Sequence, residues 1–280
     1  MIAAAALLTG VLIVMLFCTR RSTVSGDPTL PPHRRRLSVF ALWLSAMVAL
    51  LAPGPAAAAE FSPDQRQAIE GIVREYLAKN PEVLLDALQA AEDKMKGAAR
   101  DKASAALTAR RKEVFDDPDA PVAGNPQGDA SLVEFFDYRC PYCKQVEPSL
   151  EALLAKDKEL RFVYKEFPVL GPASMTAARA ALAARHQGKY DVFHRAMMNT
   201  KGEFNEAAVF KVASSVGLDV DRLKQDMAAP DIDRILKANV NLAAALDIRG
   251  TPGFVIGNEI VPGAVSLETL KKLIDASRNK

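Results

Sequence analysis

The chain has 280 residues, of which 49% are apolar and 25% are charged, as is ordinary for a globular protein with a real core. Its formal net charge is +2, but residues 1–59 carry five Arg and one acid, so the remainder holds 31 basic and 33 acidic residues. This balance excludes a basic surface of the kind that nucleic acid requires, and no nucleic-acid partner is expected.

The leader, residues 1–59, contains two apolar runs. The second has the layout of a secretory signal peptide near residues 34–59, with a basic start, an apolar stretch and small residues, and cleavage is predicted near Ala59. The first run, residues 2–17, predicts either an extra membrane segment or a start codon placed too far upstream. In both cases we expect a periplasmic protein, in a compartment where disulfides persist.

Residues 60–122 predict a helical extension. Ser62 and Pro63 suit the start of a helix, and Asn80-Pro81 ends it and begins another. In the second helix, steps of four and three residues connect Leu84, Leu88, Ala91, Met95, Ala98, Lys102 and Ala105. Such a seam favours association with copies of the chain, although these helices could instead fold back on their own domain.

Residues 123–280 have the pattern of an α/β domain. The segment 116–129 is rich in Pro, Gly and Asp and is interpreted as a linker at the domain boundary. An apolar strand precedes the cysteine pair, a helix follows it through Leu154, and a second strand is predicted over 159–169. A helical block then occupies about 174–246.

The C-terminal part predicts a hairpin and a closing helix. Gly257-Asn258 separates two short apolar runs, which is a strong signal for a tight turn between strands. Ser266 is placed to cap the last helix.

Cys140 and Cys143 are two of only three cysteines, in the tetrapeptide CPYC with Pro141 and Tyr142 between them. A bridge between them closes almost no loop, so it would add little stability. A structural zinc site needs four protein ligands, and this pair supplies two. Thiol–disulfide exchange fits better, with copper(I) bound by the two soft thiolates as an alternative; no other metal and no cofactor is predicted.

The position of the pair favours exchange. Cys140 follows a strand and opens a helix, where unpaired N–H groups and the helix dipole favour an anion. A stabilised thiolate is a better leaving group, which makes the disulfide more oxidising. Pro141 suits a first helical turn because it has no hydrogen bond to lose there. We expect the sulfur of Cys140 to be exposed and Cys143 to be shielded, ready to resolve a mixed disulfide.

The stretch "FFDYRCPYCK", followed over a hundred residues later by "GTPGFVIG", resembles the DsbA-like thiol:disulfide oxidoreductases of the thioredoxin superfamily, over residues 128–280. The resemblance implies a thioredoxin-like fold with an inserted helical block. It also implies that Pro252 is a cis-proline beside the active-site cysteines, that Thr251 is the specificity residue before it, and that Glu134 is a buried proton carrier for Cys143. Tyr142 stands where the strongest oxidases have histidine, so an extreme redox potential is not expected.

Residues 61–88, "FSPDQRQAIEGIVREYLAKNPEVLLDAL", are similar to the N-terminal extension of the suppressor-of-copper-sensitivity protein C group, some of whose members trimerise. This likeness implies a homo-oligomer, with a trimer favoured. The predicted function is periplasmic thiol:disulfide exchange on cysteine-containing client proteins, as an isomerase or reductase served by a membrane redox partner. The alternatives are a strong monomeric dithiol oxidase and a copper(I)-binding protein of copper tolerance.

Overall fold

The computed structural model describes residues 61–202 and 204–279. The predicted signal peptide, its cleavage point near Ala59 and the first apolar run therefore lie outside the described residues. The described residues fall into two units, one that ends at Tyr76 and one that begins at Leu77. Among the described residues, no helix is both long and apolar enough to span a bilayer.

The described part of the chain forms ten helices and five strands. The helices are α1 (Pro63–Lys79), α2 (Glu82–Ala109), α3 (Arg111–Phe115), α4 (Pro141–Lys156), α5 (Pro172–His186), α6 (Tyr190–Met198), α7 (Glu206–Ser215), α8 (Val220–Asp226), α9 (Pro230–Ala245) and α10 (Leu267–Arg278). The strands are β1 (Val122–Gly124), β2 (Ala130–Phe136), β3 (Leu160–Glu166), β4 (Gly253–Ile256) and β5 (Glu259–Pro262).

The strands form one mixed sheet in the order β1-β3-β2-β4-β5. β2 and β3 are parallel, and the other neighbours are antiparallel. A parallel pair needs a crossover connection, and α4 provides it. Helices α5 to α9 lie in the chain between β3 and β4. This is a thioredoxin-like fold with an inserted helical block and a helical N-terminal region, which confirms the predicted fold class.

β2 is buried on both faces of the sheet. Because successive side chains of a strand point to opposite faces, Leu132 and Phe136 enter one apolar cluster while Val133 and Phe135 enter another. Cys143 belongs to the cluster of Leu132 and Phe136. Glu134 lies between those two residues in the strand, so it shares the face on which Cys143 packs.

The second cluster includes side chains from the region predicted as an N-terminal extension. Leu107 of α2 and Val114 and Phe115 of α3 are buried in the same cluster as Val133 and Phe135 of β2. The C-terminal end of α2 is therefore anchored in the core of the unit 77–280. The predicted boundary between residues 122 and 123 stays a prediction.

The segment 116–129, interpreted from its composition as a linker, contains the edge strand β1. Val122 lies opposite Val163 in an antiparallel pairing with β3. Gly124 ends this strand at a φ of 73°, and a Cβ there would lie 2.3 Å from the carbonyl oxygen of Leu160. Three residues are too few to show an alternating pattern, so no periodicity predicts this strand.

Two local predictions at the C-terminus are confirmed. β4 and β5 pair across a two-residue turn in which Ile256 is opposite Glu259. The Ser266 hydroxyl accepts a 3.2 Å hydrogen bond from the Thr269 N–H at the start of α10. The hairpin positions β4, which begins directly after Pro252.

Candidate active site

The two cysteines lie at the N-terminus of α4. Cys140 is the residue before the helix, with an extended backbone, and Pro141 occupies the first helical position. The carbonyl of Cys140 accepts the 3.2 Å hydrogen bond from the Lys144 N–H, which begins the helix. Cys143 lies almost one turn further on, and both cysteines are free thiols.

The thiol of Cys140 faces the loop before β4. It donates a 3.1 Å hydrogen bond to the carbonyl oxygen of Thr251, and the peptide bond between Thr251 and Pro252 is cis. Cys140 is 4% exposed, so the expectation of an exposed sulfur is wrong: the Thr251 loop covers it. Cys143 is fully buried as expected, and Tyr142 is 61% exposed beside them.

Glu134 is a buried carboxyl in the middle of the sheet. It lies opposite Tyr164 on β3 and Phe254 on β4. It is fully buried, and within the described residues neither of its carboxyl oxygens has a hydrogen-bond partner. Burial, followed by the neighbouring Glu147 and Cys140, raises the pKa of this carboxyl well above its usual value.

The Cys143 thiol is perturbed in the same direction. Burial and then the negative charge of Glu134 raise the pKa of Cys143. The negative charge of Glu134 thus disfavours ionisation of Cys143, as expected for two acids that share a dry site. A carboxylate formed at Glu134 would be an unusually strong base for a carboxyl group, which suits it to take a proton from a buried thiol.

A buried polar cluster beside these residues was not predicted from the sequence. Tyr138 donates a 3.0 Å hydrogen bond to Glu166, and its hydroxyl also lies 3.0 Å from Nδ1 of His194. Nε2 of His194 is 3.7 Å from Glu147 of α4. Tyr190 donates a second hydrogen bond, of 2.8 Å, to Glu166. The rings of Tyr190 and His194 stack with their centroids 5.8 Å apart, and their four-residue spacing is the helical signal that could have found this pair.

Hydrogen bonds to Asp137 connect the segment before Cys140 with the loop after β3. This residue was not predicted from the sequence. Its buried carboxylate accepts hydrogen bonds from the backbone N–H groups of Arg139, Val169 and Leu170, at 2.8 to 3.0 Å. Arg139 donates a further hydrogen bond, of 2.6 Å, to the carbonyl of Leu170. These bonds fix the turn that leads into Cys140.

Cys140 and Cys143 are the two soft ligands that this site offers to a metal ion. Among the described residues, no group of three or more His, Cys, Asp and Glu side chains is arranged to hold a metal. Two thiolates match the preference of copper(I) for soft sulfur.

Two family models match the chain. A model described as the DSBA-like thioredoxin domain matches residues 131–275, which is more than half of the chain. A model described as the copper resistance protein ScsC N-terminal domain matches residues 65–97.

Three solved structures illustrate the likeness. A thioredoxin-like oxidoreductase from Silicibacter pomeroyi is 46% identical, covers 61% of this chain and 98% of its own, and superposes with a TM-score of 0.60. The thiol-disulfide exchange protein alpha-DsbA2 of Wolbachia pipientis is 28% identical, covering 64% of this chain and 97% of its own, with a TM-score of 0.60. Proteus mirabilis ScsC in a transitional conformation is 28% identical, covering 78% and 99%, with a TM-score of 0.58.

Curated relatives are longer proteins. The Na(+)/H(+) antiporter NhaA 1 of Salinispora arenicola is 29% identical over 164 residues, which are 58% of this chain and 25% of that protein. The chain thus spans about a quarter of the length of such relatives. The match over residues 131–275 and the arrangement around Cys140 and Cys143 agree: the chain belongs to the DSBA-like thioredoxin domain family.

Proposed function

We propose that this protein catalyses thiol–disulfide exchange on cysteine-containing client proteins in the periplasm, after export by the segment near residues 34–59. The observation that carries the proposal is the arrangement at the start of α4. Cys140 is the residue before the helix and its thiol donates to the Thr251 carbonyl, Cys143 is buried almost one turn away, and Glu134 lies on the same face of the sheet as Cys143. A membrane redox partner would restore the resting state of the pair.

Cys140 is the nucleophile in this scheme. Its thiolate attacks one sulfur of a client disulfide, a new S–S bond joins protein and client, and the other client sulfur leaves as a thiolate. If a different client cysteine then attacks the mixed disulfide, Cys140 is released and the client has been isomerised. If Cys143 attacks the sulfur of Cys140, the client leaves reduced and the protein retains the disulfide.

Glu134 acts on the second route. Cys143 must lose its proton to attack, and its burial makes that loss costly. Glu134 as the carboxylate accepts this proton, and as the carboxylic acid it returns one when the pair is reduced again. Its lack of hydrogen-bond partners among the described residues leaves both of its oxygens available for this exchange.

The Thr251 carbonyl accepts a hydrogen bond from the client in this scheme. In the thiol form Cys140 donates to this oxygen, whereas the thiolate has no proton to donate. Ionisation therefore releases the carbonyl to accept a backbone N–H from an extended client segment, which is how a peptide adds to a sheet edge. Pro252, which follows, donates no backbone hydrogen bond.

We favour isomerase or reductase activity in a homo-oligomer, with a trimer as the favoured state. On the first unit Ile69, Ile72 and Val73 of α1 are exposed, and on the second Leu84, Leu85, Leu88 and Met95 of α2 are exposed. Exposed apolar residues in this number are typical of an association surface. The match of residues 65–97 to the ScsC N-terminal domain supports the same interpretation.

The test is refolding of a client with scrambled disulfides. Deleting residues 60–120 would remove the core side chains of Leu107, Val114 and Phe115, so substitutions are the cleaner perturbation. The pair Leu84→Lys and Leu88→Lys should convert the oligomer to a monomer and lower isomerase activity. The control pair Gln89→Lys and Ala90→Lys adds the same charge on another face of α2 and should leave both unchanged.

Sedimentation of the unsubstituted protein as a monomer would contradict the oligomer. Rapid oxidation of a reduced client without rescue of a scrambled one would favour the strong monomeric dithiol oxidase instead. Equal isomerase activity in the two pairs of variants would show that oligomerisation does not serve isomerisation.

Copper(I) binding is the second candidate, favoured by the two adjacent free thiols. Titration of the reduced protein against a copper(I) chelator should give one ion per chain, and Cys143→Ser should abolish that binding. Failure of the reduced protein to compete with the chelator would contradict this role.

A further inference from the structure

A groove of about 700 Å³ lies between α2 and the loop that precedes β4, within the unit 77–280. One wall is formed by Met95, Lys96, Ala99 and Arg100. The other is formed by residues 247–252, with Pro262 and Gly263 beside them. Volumes of this size suit a ligand of a few residues. Because Thr251 belongs to the wall, the groove adjoins the carbonyl that the Cys140 thiol contacts.

Two guanidinium groups in this groove have unused hydrogen-bond donors. Arg100 is exposed, and within residues 61–202 and 204–279 it makes no hydrogen bond or ion pair. The side chain of Arg249 is 81% exposed, and its Nε donates a 2.7 Å hydrogen bond to Asp247. Across the same ranges, neither Nη of Arg249 has a partner. A guanidinium presents a planar fork of donors that matches a carboxylate.

The other charges of the groove are already compensated. Lys96 pairs with Glu92 at 3.2 Å, and Asp247 offsets the charge of Arg249, so Arg100 supplies the uncompensated positive charge while the two Nη groups of Arg249 remain as hydrogen-bond donors. Met95, which is 64% exposed, adds a flexible apolar surface to the same wall. Methionine adapts to side chains of different shapes, so the groove combines tolerance of shape with a preference for negative charge.

We infer that this groove binds the client segment that flanks the cysteine joined to Cys140, and that Arg100 and Arg249 select acidic residues there. The inference rests on the proposed exchange activity and names its substrate class. Helix α2 thereby has a role in client recognition, carried by Arg100, in addition to association between copies of the chain.

The experiment uses the full-length protein and pairs of peptides joined by a disulfide, each pair labelled so that cleavage increases fluorescence. One substrate carries Glu on both sides of its cysteines and the other carries Lys. The reduced protein is assayed under turnover with dithiothreitol, and the readout is the ratio of kcat/KM for the two substrates. The variant is R100E/R249E, and the control is K211E/K237E, which makes the same charge change on exposed residues of α7 and α9.

The Glu substrate should be cleaved at least fivefold faster than the Lys substrate, and 1 M NaCl should bring the ratio close to one because salt screens exposed charges. R100E/R249E should reverse the preference, while K211E/K237E should keep it. A ratio of one in the unsubstituted protein, or an unchanged ratio in R100E/R249E, would overturn the inference. Cleavage of the small disulfide hydroxyethyl disulfide is measured in parallel: its absence, together with absence of peptide cleavage, would overturn the proposed activity itself.

Discussion

Replacing Glu134 by Gln should change how stability depends on pH. The unfolded carboxyl loses its proton near the ordinary value of 4.5, whereas burial keeps the folded carboxyl protonated to a much higher pH. Between those two pKa values the unfolded state binds one proton fewer than the folded state. The free energy of unfolding of the unsubstituted protein therefore falls by about 1.4 kcal/mol per pH unit from this group alone.

Glutamine has the same shape and does not titrate. At about pH 4.5 both side chains are neutral in the folded protein, and Glu134 forms no hydrogen bond within the described residues that the variant could lose, so the two proteins should start from similar stabilities. Above that pH, Glu134→Gln should become progressively more stable than the parent, by about 1.4 kcal/mol per unit, until the folded carboxyl ionises and the difference levels off.

Urea unfolding of the reduced proteins, measured between pH 4.5 and 9, checks this expectation. Glu151→Gln, which makes the same change at an exposed position of α4, is the matched control. At pH values high enough to ionise the folded carboxyl, the same Glu134→Gln variant should slow attack by Cys143 on a mixed disulfide, by up to about 100-fold, because its proton acceptor is gone. Parallel stability curves for parent and Glu134→Gln would refute the account of the buried carboxyl.

Three further substitutions test local geometry in the described part of the chain, each by urea unfolding. Gly128→Ala would place a Cβ 2.2 Å from the carbonyl oxygen of Glu159 and should lower the free energy of unfolding by about 2 kcal/mol. Gly97→Ala has open space around it in α2 and should raise that free energy by about 0.5–1 kcal/mol, so equal effects of the two changes would contradict the backbone geometry. Tyr190→Phe removes the 2.8 Å hydrogen bond to the buried Glu166 and should cost about 1–3 kcal/mol; a cost near zero would mean that this bond does not form in solution.

Much of the fold follows from local pattern. The apolar run of β2 predicts a strand covered on both faces, and the Gly257-Asn258 pair predicts the turn between β4 and β5 because few other residues accept the backbone of a two-residue hairpin loop. Ser266 predicts the start of α10 because its hydroxyl can accept a hydrogen bond from an N–H group of the first helical turn. Each signal lies within a few residues of the feature that it specifies.

The residues of the site could be predicted from the sequence only in part. The CPYC motif and the family resemblance pointed to the sulfur chemistry, with Glu134 and Pro252 near the cysteines, but they did not predict that Thr251 covers Cys140. The Tyr138, His194 and Glu166 contacts likewise join three separate elements. Strand β1 was not predicted because three residues in a Pro- and Gly-rich segment are too few to show an alternation of apolar and polar residues.

The packing of the end of α2 against β2 was also not predicted, because it depends on contacts between residues that are far apart in the sequence. Few large apolar residues follow Met95, and this absence favoured a helix that projects toward other copies of the chain. Leu107 and, beyond the helix, Val114 and Phe115 nevertheless bury themselves against β2. A few large side chains at the end of a helix are enough to anchor it, because each buried apolar side chain contributes about 1.5–3 kcal/mol.

The central claim is that Cys140 attacks client disulfides and Cys143 resolves the product, and trapping the mixed disulfide tests it most directly. Cys143→Ser incubated with a disulfide-bonded client should accumulate a covalent one-to-one adduct through Cys140, detected by intact mass and peptide mapping and reversed by dithiothreitol. Cys140→Ser should give no adduct. An adduct that forms equally through Cys143 in Cys140→Ser, or no adduct in either variant, would contradict the account.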